Sequence, residues 1–265
     1  MADQTPGGQT GTDQTGMDQT GADQTGADQT PPDQPLSWWI GAIDGPSAAG
    51  KGTLARRLAA RLGVPCLDTG LLYRAAGRRV LDAGQDPADP AAAARAAAAL
   101  RPEDLARGDL RGPEADAAAS AVAAVPAVRA ALLGFQRRFA KARGAVLDGR
   151  DIGTVVFPDA TLKLFITASP EARARRRWLE LRARGEDADP EEVARDMRAR
   201  DERDSARAAA PLRAAPDAVT IDTTDLDAGQ AFAAAWEVAR KRGAPPLQPD
   251  TAPEDQRAGT RTHDL

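Results

Sequence analysis

One nine-residue stretch, GPSAAGKGT at 45–53, restricts the possible folds of this chain more than any other feature. It nearly matches the phosphate-binding pattern G-x-x-x-x-G-K-[ST], but Gly52 takes the hydroxyl position and the hydroxyl follows at Thr53. An apolar run at 38–43 precedes the stretch, and leucines recur every four residues from Leu54 to Leu62 after it. The pattern therefore predicts a buried strand, a glycine loop and a helix, which is the context in which such a loop wraps phosphates.

The residue types of the loop suit a triphosphate. Gly45 and Gly50 let the backbone bend closely around an anion, and the backbone N–H groups and the helix N-terminus then face its charge. Lys51 adds a point charge for the outer phosphates. A chance glycine turn before a helix is the weaker interpretation, because both flanks fit. We predict that a nucleoside triphosphate binds to Gly45, Pro46, Ser47, Ala48, Ala49, Gly50, Lys51, Gly52 and Thr53.

Beyond the loop, apolar strand patterns alternate with helical patterns. Further strands are predicted at 64–67, 145–147, 162–166 and 218–222. Helices are predicted at 54–62 with a stop at Gly63, and at 71–81, 91–100, from Pro126 onward, 169–184, 190–207 and 228–242. This alternation favours an α/β fold in which a five-stranded parallel sheet is covered by helices on both faces.

Three polar clusters accompany these elements. LDTGLLYR (67–74) and LDGRDIGTVVFP (147–158) begin where strands end, which is where open parallel sheets bind ligands. Asp148, at a strand tip, occupies a usual place for a carboxylate that holds magnesium through water. In RARDERDSARAAAPL (198–212), arginines recur at helical spacing and suggest a phosphate-clamping lid. Taken singly, each cluster also fits an ordinary turn, cap or solvated ion-pair face.

Composition narrows the class of protein. The whole chain carries −4; residues 1–35 contribute −6 and residues 244–265 contribute −2, so the part between carries +4. That weak basic balance suits small anions and not a nucleic acid. The first 35 residues repeat a five-residue unit and hold almost no large apolar side chain, so we expect both terminal segments to be disordered.

The remaining composition excludes several chemistries. Cys66 is the only cysteine, so an internal disulfide is impossible, and the only histidine, His263, lies in the C-terminal segment. Histidine acid–base catalysis and histidine metal sites are therefore not expected. The sequence contains no long apolar run and no signal-like N-terminus, so we expect a cytoplasmic protein without membrane contact.

Taken together, five stretches resemble bacterial cytidylate kinases. They are IDGPSAAGKGT, LDTGLLYR, ASAVAAVPAVRAALL, LDGRDIGTVVFPDA and RDERDSARAAAPL, and the resemblance extends from about Ile40 to Arg242. It implies a P-loop kinase core at 36–243, with an inserted nucleotide-binding subdomain at about 85–125 and a short helical lid at about 169–207. It also implies transfer of the γ-phosphoryl group of ATP to CMP or dCMP with Mg²⁺, in a monomer.

The resemblance also implies roles for individual residues. Ser120, Arg129 and Asp151 correspond to residues that contact cytosine, and Thr69, where the family usually has serine, lies near the base or its phosphate. Tyr73 and Arg74 border the monophosphate, Arg150 and Arg207 hold its phosphate, and Arg200 and Asp204 meet the ribose. The catalytic cations would be Lys51, Arg150, Arg200 and Arg207. Asp148 would hold the metal through water, and Thr53 would reach it through water or contact the phosphates instead.

Two departures and two alternatives remain. The first departure from the family pattern is Thr69 in place of serine. The second is Ala49 in the glycine loop, where the family often has glycine. Another P-loop kinase, for adenylate, uridylate or shikimate, is the alternative enzyme, and ASAVAAVPAVR argues against it. A nucleotide-binding regulatory module is the alternative of another class.

Overall fold

The structure, a computed structural model, describes residues 39–141, 144–207 and 210–244. Its strands are β1 (Ile40–Asp44), β2 (Cys66–Asp68), β3 (Ala145–Gly149), β4 (Leu162–Thr167) and β5 (Val219–Asp222). Its helices are α1 (Lys51–Leu62), α2 (Thr69–Asp82), α3 (Pro90–Ala98), α4 (Pro113–Ala123), α5 (Pro126–Lys141), α6 (Pro170–Ala183), α7 (Pro190–Ala206) and α8 (Ala228–Lys241). A 3₁₀ turn covers Pro102–Ala106, and a π-helical turn covers Ile152–Val156.

The five strands form one parallel sheet in the order β2-β3-β1-β4-β5. Apolar side chains from opposite faces of the strands enter two core clusters. Ile43 and Val146 pack with α1 and α8, whereas Ala42 and Leu147 pack with α2, α3 and α5. The predicted parallel sheet with helices on both faces is therefore confirmed, and its strands are apolar because both faces are buried.

The sheet brings the polar strand ends together. Asp68 at the end of β2 pairs in register with Asp148 of β3, and Asp44 at the end of β1 pairs with Gly149. Parallel strands end on the same edge, so the glycine loop after β1 and the turn after β3 lie next to each other. This edge of the sheet carries the candidate site.

Local differences from the predicted elements have simple causes. Gly63 ends α1 as predicted: it adopts a left-handed conformation (φ 65°), and its N–H points to the carbonyls of Ala59 and Ala60. Strand β2 begins at Cys66 instead of residue 64, after the proline at 65. Helix α2 begins two residues early, at Thr69, directly after the strand.

The predicted inserted subdomain, 85–125, contains α3, the 3₁₀ turn and α4, and the predicted lid, 169–207, contains α6 and α7. Their functional labels remain predictions. The N-terminal segment 1–35 and nearly all of 244–265 lie outside the described residues, although Ala244 is described and is buried against α8. Over the described ranges, no single helix is long and apolar enough to cross a membrane; α4 and α5 meet the criteria only jointly, across a 99° bend.

Candidate functional site

The glycine loop owes its path to three residues with positive φ. Gly45 (φ 147°) runs so close to β4 that a Cβ there would lie 1.9 Å from the carbonyl oxygen of Ile166. Gly50 (φ 91°) precedes the first turn of α1, and Ala48 between them adopts φ 58°. The position that would favour glycine is therefore Ala48, not the neighbouring Ala49, which is fully buried.

Lys51 starts α1 and is buried beneath this loop. Its Nζ donates to the carbonyl of Pro46 at 3.3 Å and lies 3.5 Å from Oδ1 of Asp148. Burial and the nearby charge of Arg150 lower the pKa of Lys51 to about 8. Burial also raises the pKa of Asp148, which the charge of Lys51 opposes. The loop thus holds a weakly solvated cation next to a carboxylate, with no acidic residue in the first turn of the helix.

A cavity of about 380 Å³ opens beside the loop at the carboxyl edge of the sheet. It is lined by polar and charged groups from the loop, α2, α4, α5, the β3 end, α6 and α7. All ten residues predicted to hold the acceptor nucleotide line it: Thr69, Tyr73, Arg74, Ser120, Arg129, Arg150, Asp151, Arg200, Asp204 and Arg207. The cavity is also lined by residues from the metal and ATP predictions: Asp148, Ser47, Ala48, Gly50, Lys51, Gly52 and Thr53. Three residues of the predicted ATP loop do not line it: Gly45, Pro46 and Ala49.

One corner of the cavity carries matched donors and acceptors. Arg129 is paired with the buried carboxylate of Asp151, and its guanidinium lies 5.9 Å from the ring centre of Tyr73. The hydroxyl of Ser120 is buried without a partner in the described residues. Thr69 donates its hydroxyl to the carbonyl of Asp148 at 2.8 Å. An unpaired buried hydroxyl and an Arg–Asp pair that line the same cavity are groups that a polar ring edge can satisfy.

A second corner is dominated by arginine. Asp204 is almost fully buried and accepts from Arg150 Nε at 3.0 Å and from Arg207. Nε of Arg200 is buried without a hydrogen-bond partner in the described residues, and burial together with the charge of Arg150 lowers the pKa of Arg200. Such a concentration of cations, with one donor unsatisfied, favours a bound anion.

Several groups at this site were not predicted from the sequence. Asp116 of α4 pairs with Arg74, Arg177 and Arg200. The arginines of α6 recur at the same helical spacing as those of α7, so that signal could have found Arg177. Asp116 stands in an alanine-rich segment and carried no comparable signal.

Asp44 was also missed, although it ends the strand before the loop. Its two carboxylate oxygens each accept a backbone N–H at 2.8 Å, from Ile152 and Gly153. Burial raises the pKa of Asp44 to about 7, although these two donors act to lower it. Asp44 therefore fixes the chain that follows Arg150 and Asp151.

The comparisons with known proteins agree with this geometry. The sequence profile described as "Cytidylate kinase" matches residues 41–241. A cytidylate kinase of Granulibacter bethesdensis is 65% identical over 201 residues, covering 76% of this chain and 96% of the relative. The cytidylate kinase of Acidiphilium cryptum is 62% identical over 200 residues, covering 76% of this chain and 94% of the relative. That of Paramagnetospirillum magneticum is 64% identical over 198 residues, covering 73% of this chain and 94% of the relative. The chain belongs to the cytidylate kinase family.

Proposed function

We propose that this protein transfers the γ-phosphoryl group of ATP to CMP or dCMP, giving ADP and CDP or dCDP. The observation that carries the proposal is that residues of the glycine loop, the Arg129–Asp151 pair with Ser120, and the arginines around Asp204 all line one cavity. The family assignment supports the same reaction. ATP fits the loop side, and the acceptor nucleotide fits the side lined by α2, α4 and α5.

On the donor side, Gly45 to Thr53 wrap the triphosphate. The left-handed residues turn the backbone, and the N-terminus of α1 contributes its positive end. Lys51, already stripped of water by burial, interacts strongly with the outer phosphates because little solvent screens it. This charge stabilises the transferred group as its bonds lengthen.

On the acceptor side, the base corner matches cytosine. Cytosine presents an amino donor at C4 and acceptors at N3 and O2. Asp151 and Ser120 can accept from the amino group, and Arg129 can donate to the two acceptors. Uracil would place its C4 carbonyl against the carboxylate of Asp151 and its N3–H against the N–H donors of Arg129. These buried groups would then be unpaired, so the base corner favours cytosine over uracil.

The arginine corner suits the acceptor phosphate and ribose. Arg150 and Arg207 would bind the phosphate with planar forks, and Asp204 with Arg200 would contact the sugar. The acceptor is already an anion, so no general base is required. Arginines that remain charged are therefore adequate for positioning and for charge stabilisation.

The oxygen groups near Lys51 fit Mg²⁺, which we include as MgATP. Asp148 and Asp68 lie at adjacent strand ends, and Thr53 lines the same cavity. Gly52 lies close to Asp148: a Cβ at position 52 would be 3.1 Å from Oδ2 of Asp148, so the absence of a side chain there keeps this carboxylate uncrowded. No cluster of three or more ligating side chains occurs in the described ranges, and Mg²⁺ in such sites needs only one or two carboxylates beside the substrate phosphates. Asp148 would hold it through water, with Thr53 nearby. When bound, the metal neutralises phosphate charge.

An acceptor panel tests this function. The full-length protein is incubated with MgATP and CMP, dCMP, UMP, AMP or no acceptor, and ADP formation is followed. CMP or dCMP should give the highest kcat/KM, with UMP lower by roughly two to four decades if both mispairings apply. Equal use of UMP or AMP would show a different monophosphate kinase. Nucleotide binding without turnover on any acceptor would favour the regulatory-module alternative.

A further inference from the structure

Asp116 of α4 meets three guanidinium groups from three other helices. Its Oδ1 accepts from Arg74 Nε of α2 at 3.0 Å and lies 3.4 Å from Arg200 Nη1 of α7. Its Oδ2 accepts from Arg177 Nη2 of α6 at 2.7 Å. One carboxylate therefore connects the predicted inserted subdomain with the predicted lid and with two arginines predicted to contact the acceptor nucleotide.

Asp116 and its three arginine partners are largely buried, which restricts the movement of their side chains. The Asp116 side chain is 15% exposed, and those of Arg74, Arg177 and Arg200 are 17–21% exposed. Burial acts to raise the pKa of Asp116, but the three guanidinium groups hold it below its usual value. A partly dehydrated carboxylate among three cations is costly to remove because the cations would then face one another unpaired.

Arg74 and Arg200 each pair with Asp116 and still have N–H groups available to donate to a ligand. Arg74 gives its Nε to Asp116, and its Nη1 lies 3.9 Å from Asp68, beyond hydrogen-bond distance. Among the described residues, the one ion pair of Arg200 is the looser 3.4 Å contact with Asp116, and its Nε is a buried donor without a hydrogen-bond partner. Both side chains line the cavity. Asp116 thus holds one edge of each guanidinium and leaves other donors for an anion.

Asp116 cannot move away easily from this position. Helix α4 packs on α2 so closely that a Cβ on Gly77 of α2 would lie 2.8 Å from the Cβ of Ala118. The same α4–α2 contact holds Asp116 beside Arg74. A carboxylate fixed by its helix orients its partners instead of withdrawing when a ligand arrives.

We propose that Asp116 is a positioning residue that orients Arg74 and Arg200 toward the acceptor nucleotide. Through its ion pair with Arg177, Asp116 also links α4 to α6, so one carboxylate contacts both the predicted inserted subdomain and the predicted lid. The inference rests on the proposed function and extends it to a residue outside the expected ligand contacts. The opposite possibility, a carboxylate that competes with the acceptor phosphate for the arginines, predicts the opposite change in affinity.

The test compares Asp116→Asn with Glu114→Gln in the full-length protein. Glu114 lies on the same helix and pairs with Arg78 at 2.8 Å, but its side chain is 70% exposed and lies outside the cavity. Both changes remove one negative charge at nearly constant volume. We expect Asp116→Asn to raise KM for CMP about tenfold, as misplaced substrate contacts do, while KM for ATP stays within about twofold. Glu114→Gln should leave both KM values unchanged.

Three results would overturn the proposal: an unchanged KM for CMP, a lower KM for CMP, or an equal rise for ATP. The lower value would identify a competing carboxylate. If Asp116→Asn does not fold, Asp116→Glu replaces it, because it keeps the charge but shifts the oxygens by one methylene; KM for CMP should then rise at least about threefold, and no rise would overturn the proposal. Wild-type turnover of CMP in the acceptor panel tests the proposed function by itself, before any variant is compared.

Discussion

At the scale of single residues, burial sets the properties of the ionisable groups at the site. Lys51 loses water and gains the repulsion of Arg150, so it releases its proton more easily than an exposed lysine. Asp148 beside it is pushed toward the neutral form by burial. A triphosphate would reverse the balance at Lys51 because it supplies the negative charge that the buried ammonium lacks.

Lys51 should make ATP binding depend on pH. With a pKa of about 8 in the free protein, it is protonated below that pH and increasingly neutral above it. Bound phosphates favour the protonated form, so ATP binding should take up protons and weaken as pH rises above about 8. Calorimetry at pH 8.5, in two buffers of different ionisation enthalpy, measures this uptake.

Lys51→Arg is the control, since arginine stays charged at that pH and should bind ATP without proton uptake. Equal proton uptake by the wild type and by Lys51→Arg would assign the titration to another group.

Asp151 should determine the choice between pyrimidine bases. Asp151→Asn removes the carboxylate that pairs with Arg129, and the amide can donate to the C4 carbonyl of uracil. We expect kcat/KM for CMP to fall and the CMP to UMP ratio to narrow by about tenfold, as expected from one buried mispairing of 1–3 kcal/mol. Asp159→Asn, an exposed site close in sequence, is the matched control. A ratio unchanged from wild type would remove Asp151 from the base pocket.

At the scale of elements, the contact between α2 and α4 places the acceptor residues. Tyr73 and Arg74 lie on α2, whereas Asp116 and Ser120 lie on α4. Gly77 permits the close approach of the two helices, because a side chain there would collide with the backbone of Ala118. The spacing of these two helices therefore sets how the acceptor residues of α2 lie relative to those of α4 in the wall of the cavity.

Gly77→Ala should separate the two helices. The new Cβ would lie 2.8 Å from Ala118 Cβ and 2.9 Å from its carbonyl carbon, so α4 must shift. Overpacking of this kind costs about 1–3 kcal/mol, which exceeds the roughly 1 kcal/mol that alanine contributes to helix propensity. We expect a lower free energy of unfolding in urea and a higher KM for CMP.

Gly134→Ala is the control for Gly77→Ala. Position 134 lies in α5, and a Cβ there approaches only the flexible tip of Arg138, at 3.2 Å. This variant should be neutral or more stable than wild type. Equal stability of Gly77→Ala and Gly134→Ala would refute the role of the helix contact.

At the scale of the whole molecule, the acidic terminal segments lie outside the family match. That match ends at residue 241, and the Granulibacter bethesdensis relative is covered over 96% of its length by 76% of this chain. The segments 1–35 and 244–265 carry −8 together, while the part between carries +4. The family match and the cavity both lie in the part of the chain between these segments, so we expect catalysis to depend on that part.

Removing both terminal segments should leave catalysis intact. A protein of residues 36–246 keeps Trp39 and Ala244, which are buried in the core. Its kcat/KM for CMP should stay within about threefold of the full-length value, because segments of this composition cannot contribute a packed core. Steady-state kinetics on both proteins measures it. A loss of tenfold or more would show that a terminal segment acts in the reaction.

The sequence by itself determined what depends on local pattern. Apolar runs, four-residue leucine spacing and glycine at two turns predict the strand, the loop and α1, because backbone conformation and burial periodicity are properties of neighbouring residues. The polar ends of β2 and β3 follow as well, since parallel strands share an edge. All ten predicted acceptor residues line one cavity, but Ser120 and Arg129, which lie on α4 and α5, were expected there only from the family resemblance.

Only the tertiary structure decided which charges meet. Arg74 and Arg177 reach Asp116 from 42 and 61 residues away, and Arg150 reaches Asp204 across 54 residues. The sequence around an arginine in a charge run is the same whether the side chain is exposed to water or paired with a carboxylate distant in the sequence. The spacing of charged residues therefore cannot distinguish an exposed arginine from a paired one. The left-handed conformation of Ala48 likewise depends on long-range packing. So do the hydrogen bonds that Asp44 accepts from the backbone N–H groups of Ile152 and Gly153. The strand order β2-β3-β1-β4-β5, which brings the ends of β1, β2 and β3 to one edge of the sheet beside the cavity, is set by the same packing.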